Sequence, residues 1–168
     1  MNLKVFFTMP LAFIMMLVSL VFSPKTEGIA VIYVGHYSGF AMMSREYKID
    51  LARKNLWEHS RYGLQGDLPR NEKSLFEGFR FAGRLEDAKI AAFRAAAAEY
   101  GFGAWEGEYE YDPGEDGPPM PPTDGPSWHI EIVFSDGTRK SAGGYHAWPD
   151  HWAEMRQAFE ALTGLSIL

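Results

Sequence analysis

The amino-acid sequence predicts an α+β domain: a small antiparallel or mixed sheet with two or three helices packed on one face, behind an N-terminal hydrophobic helix. Three observations predict it. Short runs alternate apolar and polar residues with period two, as half-buried strands require. Other stretches, rich in alanine and phenylalanine, repeat their apolar residues at helical spacing. Strands and helices do not alternate strictly along the chain, which disfavours a parallel sheet built from βαβ units.

The hydrophobic helix is read from Val5 to Phe22, which holds no charge and is interrupted only by Thr8, Pro10 and Ser19. Its length lies near the lower limit of about 17 residues for a helix crossing a bilayer core. It follows the weakly basic Met1-Asn2-Leu3-Lys4, and Ser23 to Gly28 after it offers no obvious signal-cleavage site. Residues 1–27 therefore read first as an uncleaved transmembrane anchor, with a cleaved export signal and a buried core helix as alternatives. Lys4 on one side, against Lys25 offset by Glu27 on the other, places the C-terminal part outside the cytoplasm. A cleaved product would be secreted or periplasmic.

Residues 28–168 read as a single domain. Ile29 to Tyr37 is a β-branched strand closed by Ser38-Gly39. Glu46 to Leu51 alternates Tyr47, Ile49 and Leu51 against Lys48 and Asp50, a second strand, and Trp57 and Tyr62 continue the sheet. Gly63 to Arg70 is a loop. Glu72 to Ala82 presents Leu75, Phe76 and Phe79 at helical spacing. Leu85 to Tyr100 is a stronger helix, with Ile90, Phe93, Ala97 and Tyr100 on one face and Gly101 after its end. Trp105 to Tyr111 alternates aromatics and glycine with Glu106, Glu108 and Glu110, a strand with one acidic face. Residues 112–126 are an acidic loop rich in proline and glycine. Trp128, Ile130, Ile132 and Phe134 share one side of a strand, Ser135-Asp136-Gly137 turns a hairpin, and Thr138 to Ala142 returns until Gly143-Gly144 breaks it. Pro149 stands near the start of a last helix whose inner face is Trp152, Met155, Phe159 and Leu162, ended by Gly164.

The run from Trp128 to Phe134, then Asp136-Gly137, Gly144 and Trp148-Pro149 before Trp152, resembles a module of uncharacterised bacterial proteins. The resemblance covers only this C-terminal block. It implies a bacterial source and a shared fold, and it carries over neither an activity nor catalytic residues.

Composition removes several function classes. Cysteine is absent, which excludes disulfides, thiolate metal sites and cysteine nucleophiles. A net charge of −6 without a basic cluster argues against nucleic acid. Gly35-His36-Tyr37-Ser38-Gly39 misses the G-x-S-x-G spacing of a serine hydrolase, and Gly101, Gly103 and Gly107 do not form a dinucleotide loop. Asp112, Glu115, Asp116 and Asp124 lack the spacing that converges on calcium. No cofactor is expected. What remains is a binding surface: Tyr145 and Trp148 in a glycine-rich connection before a helix, with His129 and Glu131 on the wetter face of a strand. The expected function is a non-catalytic, membrane-tethered or exported binding or accessory module, its partner a protein or small ligand and its membrane contact residues 5–22. One alternative is a small metal-dependent hydrolase using His129, Glu131, His146 and His151, since imidazole and carboxylate together suit zinc. Another is an immunity-type protein that neutralises a specific partner.

Overall fold

The computed structural model describes residues 28–38, 43–62, 78–112 and 125–167. The expected anchor at Val5 to Phe22, the loop at 63–70, and most of the expected helix at 72–82 and of the acidic loop lie outside them. Among the described residues, no helix is long and apolar enough to cross a membrane.

Seven strands form one mixed sheet: β1 (Ile29–Ser38), β2 (Met43–Asp50), β3 (Asn55–Tyr62), β4 (Arg80–Arg84), β5 (Gly107–Tyr109), β6 (Pro126–Phe134) and β7 (Arg139–Tyr145). Their spatial order is β4-β3-β2-β1-β6-β7-β5. Every pairing is antiparallel except β5 with β7. The described helices are α1 (Asp87–Glu99), α2 (Trp152–Thr163) and a short 3-10 turn at Phe102–Ala104.

This corrects the expectation of a small sheet under two or three helices: the sheet dominates, and the described residues hold two α-helices. The main source of the difference is 72–82, whose described end is strand β4. Gly78 has a φ of 98°, which interrupts helical geometry, and beyond it Phe79 and Phe81 alternate rather than wind. Phe81 meets Trp57 of β3 edge-to-face at 5.4 Å, and Phe79 leans on His59 at 5.5 Å. Aromatic cross-strand pairs of this kind favour the pleated surface over a lone turn of helix weakened by glycine. The acidic strand is also shorter than expected, because Trp105 is drawn into the core beside Phe102, at 5.0 Å, before β5 begins. Gly143 and Gly144 do not break β7; both pair with β6, Gly143 with His129 and Gly144 with Trp128.

Register and pleat divide the sheet into two faces. One face carries Ile32 and Val34 of β1, Tyr47 and Ile49 of β2, Leu56 of β3, and Trp128, Ile130, Ile132 and Phe134 of β6, all buried. Ile90, Phe93 and Ala97 of α1 and Met155, Phe159 and Leu162 of α2 join the same core. Phe159 lies 4.9 Å from Phe93 and 5.3 Å from Phe102, so the two helices and the 3-10 turn share one aromatic contact. The opposite face carries Tyr33 and Gly35 of β1, Glu46 and Lys48 of β2, Trp57 and His59 of β3, His129 and Glu131 of β6, and Ser141 and Gly143 of β7. Both described helices lie on the first face.

Candidate binding site

At the far end of the sheet from Ile29, β7 runs out at Tyr145 and a tight connection, 146–151, leads to α2. His146 has a φ of 53°, a left-handed backbone that costs a non-glycine residue about 1–2 kcal/mol and persists only where its surroundings hold it. Here they do. The His146 amide donates to the Pro126 carbonyl at 3.3 Å. The buried Trp128 indole donates to the Ala147 carbonyl at 2.7 Å. The Gly125 amide donates to the Tyr145 hydroxyl at 3.1 Å. Two glycines make room: a Cβ at Gly125 would occupy the space of the His146 ring, and one at Gly144 would come within 2.5 Å of the Ala147 carbonyl oxygen.

Inside this frame the His146 imidazole is ringed by aromatics set edge-to-face: Tyr145 at 4.7 Å, Tyr111 at 6.3 Å and Trp148 at 6.5 Å. Its Nε2 is buried and has no hydrogen-bond partner among the described residues. Ala147 and Pro149 turn inward, while Trp148 between them is 46% exposed. The arrangement is an aromatic cradle with one indole presented to solvent. It suits the binding of an apolar or planar group.

The residues expected from sequence fall in three places. Tyr145, His146 and Trp148 come together in the connection. His129 and Glu131 stand on the face of β6 opposite the described helices, where Glu131 accepts from the Arg139 guanidinium at 2.8 Å and His129 is exposed between Gly35 of β1 and Gly143 of β7. His151 is on the helix side, its ring 5.3 Å from Tyr100 and its Nδ1 3.8 Å from Glu154. The set His129, Glu131, His146 and His151 is thus not gathered at one point. Among the described residues, no three of His, Asp and Glu are grouped so as to hold a metal ion.

Sequence reasoning missed a second polar cluster. Glu46, only 8% exposed, accepts from the Tyr37 hydroxyl at 3.5 Å, and its other oxygen lies 3.3 Å from His59 Nδ1. Tyr37 folds across Gly35, where a Cβ would meet its hydroxyl at 2.9 Å. The three residues come from β1, β2 and β3, and only the register brings them together. The one available signal was the polar half of the β2 alternation, Glu46 and Lys48 against Tyr47 and Ile49. Near the same end of β1, burial first and the Arg45 charge second hold the pKa of His36 below its ordinary value. On the face opposite the described helices, burial first and Glu131 second raise that of Tyr33.

Comparisons with protein-family models, with curated protein sequences and with solved structures give no match to this chain.

Proposed function

We propose that this chain is a non-catalytic binding or accessory module, tethered to a membrane or exported through residues 5–22, which engages its partner at the β7–α2 connection. The observation that carries the reading is Trp148, exposed beside a histidine held in left-handed backbone, whose buried Nε2 has no hydrogen-bond partner among the described residues. Strain and an unsatisfied polar atom both cost stability, and such features concentrate where a structure serves binding or switching. The partner is a protein or small ligand that offers Trp148 an apolar or planar group. An immunity-type protein is one form of this reading. The dispersal of His129, Glu131, His146 and His151 gives the hydrolase reading no comparable support.

The test uses the full chain, expressed in a bacterial host with a photoreactive residue replacing Trp148, and separately replacing Arg156, which is exposed on α2. The expected result is a discrete adduct from position 148 alone, lost on adding His146→Ala. Adducts of equal yield from both positions, or none from 148, overturn the site. Alkaline carbonate washing of the same membranes, with intact mass, decides separately between an anchored chain and a shorter exported one.

A further inference from the structure

Trp148 presents one flat indole to solvent, and the chain that builds its surroundings supplies acids without a lysine or arginine. No basic residue of either kind lies between Arg94 and Arg139, nor between Lys140 and Arg156, and the cradle is drawn from these two stretches. Parallel pairing of β5 with β7 sets Tyr109 beside Gly144, so Glu110 follows between Tyr109 and Tyr111, whose ring reaches His146 at 6.3 Å. From the other side comes Asp150, just beyond Trp148-Pro149. Burial foremost, and the Asp150 charge besides, raise the pKa of Tyr109 against a lowering hydrogen bond from the Glu106 backbone, so Asp150 lies within electrostatic reach of β5. Glu110 and Asp150 are both exposed, and neither is ion-paired among the described residues. The cations of β7, Arg139 and Lys140, stand at its opposite end and are bonded to Glu131 and Glu106. Glu154 in the first turn of α2 offsets the positive end of that helix.

We propose, resting on Trp148 as the contact surface, that the planar group it receives is the guanidinium of an arginine on a partner protein, stacked on the indole and held by the carboxylates of Asp150 and Glu110. Three properties select that group. It is flat, so it fits a single open indole, whereas a tetrahedral ammonium gains most from several rings closing round it. It is a cation, which the negative face of the ring attracts and neighbouring carboxylates retain through charge-assisted hydrogen bonds. It is weakly hydrated and keeps its proton, so stacking costs little desolvation and does not lapse as the pH rises. A partner offering a carboxylate or phosphate at this point would be repelled by the same acids.

Capped peptides that differ in one group provide the test. The probe is acetyl-Gly-Arg-Arg-Gly-amide. Its counterparts carry citrulline in place of arginine, equally planar but neutral, or lysine, cationic but not planar. Each is titrated into the isotope-labelled full chain in non-ionic detergent, and the Trp148 indole resonance, identified by its loss in Trp148→Phe, is followed. The arginine peptide is expected to shift that resonance with an affinity at least about fivefold above either counterpart, and to lose the margin in about 0.5 M salt. Glu110→Gln and Asp150→Asn should each weaken it by about two- to fivefold while the other indole resonances stay in place, which separates a lost contact from a lost fold. Equal affinity for the citrulline peptide, a lysine peptide as good as arginine, or indifference to both carboxylate variants overturns the guanidinium and leaves Trp148 as a binding surface. No shift with any peptide overturns it as well, and the photo-adduct at position 148 then decides by itself whether that surface binds a partner.

Discussion

Gly144→Ala is the sharpest perturbation of the connection that presents Trp148. Gly144 is not needed for a left-handed turn; its φ is not positive, and it pairs with Trp128 as an ordinary strand residue. What it provides is space. A Cβ there would lie 2.5 Å from the Ala147 carbonyl oxygen and 3.0 Å from Trp128 Nε1, the two atoms of the buried hydrogen bond. One of them has to move. Losing that bond while both groups stay buried costs about 1–3 kcal/mol, and forcing a methyl into a filled site costs about 1–3 kcal/mol more. Burial of the methyl returns about 0.8 kcal/mol. The expected loss is therefore about 1–5 kcal/mol, and at about 3 °C per kcal/mol the thermal midpoint falls by about 3–15 °C.

The assay is urea and thermal unfolding of the full chain in mild detergent, followed by tryptophan fluorescence. Gly164→Ala is the comparator: Gly164 ends α2 at a φ of 73° with open space around its Cβ position, so it tests backbone strain without a clash and costs about 1 kcal/mol. Trp128→Phe removes the same hydrogen bond from its donor side. If the bond is the shared cause, Gly144→Ala and Trp128→Phe combine less than additively, because it is lost only once. A Gly144→Ala loss no larger than that of Gly164→Ala, or full additivity with Trp128→Phe, refutes the packing argument. Displacement of Ala147 also moves both its neighbours, so the photo-adduct at position 148 should be lost in Gly144→Ala.

Phe159→Ala, which empties the point where α1, α2 and the 3-10 turn meet, should cost about 3–5 kcal/mol by calorimetry. Trp148→Ala should change stability by no more than about 0.5 kcal/mol in the same measurement, because its ring is half in solvent. His36 has a folded pKa held below the ordinary 6.5 by burial and then by Arg45. As the pH falls through 6.5 the unfolded chain therefore takes up a proton that the folded chain refuses, and stability drops until the pH passes below the folded pKa. Urea midpoints measured from about pH 7.5 down to about pH 5 should show this decline, and His36→Gln should flatten it.

How much of this was legible follows from the range over which each residue acts. β1, β2, β6, α1 and α2 were readable because their cores are local patterns: Ile130 and Ile132 alternate, and Met155, Phe159 and Leu162 recur at helical spacing. β4 was not. Leu75, Phe76 and Phe79 satisfy a helical template, and what decides the described end is Trp57, a partner on another strand. Tyr145 and Trp148 were readable as candidates from a glycine-rich connection before a helix. Gly143 and Gly144 were misread as its cause, because a glycine pair suggests a strand end. Their reason for being there is non-local: Gly143 lies against the Trp128 carbonyl and Gly144 against the Ala147 carbonyl.

The same limit holds for the cradle around His146. It draws on Tyr111, Gly125, Trp128 and residues 144–148, which meet because β5, β6 and β7 end together. Tyr111 and Gly125 reach His146 only through the pairing of β5 and β6 with β7, so a local pattern marks the connection at Tyr145 and Trp148 and leaves its frame unread.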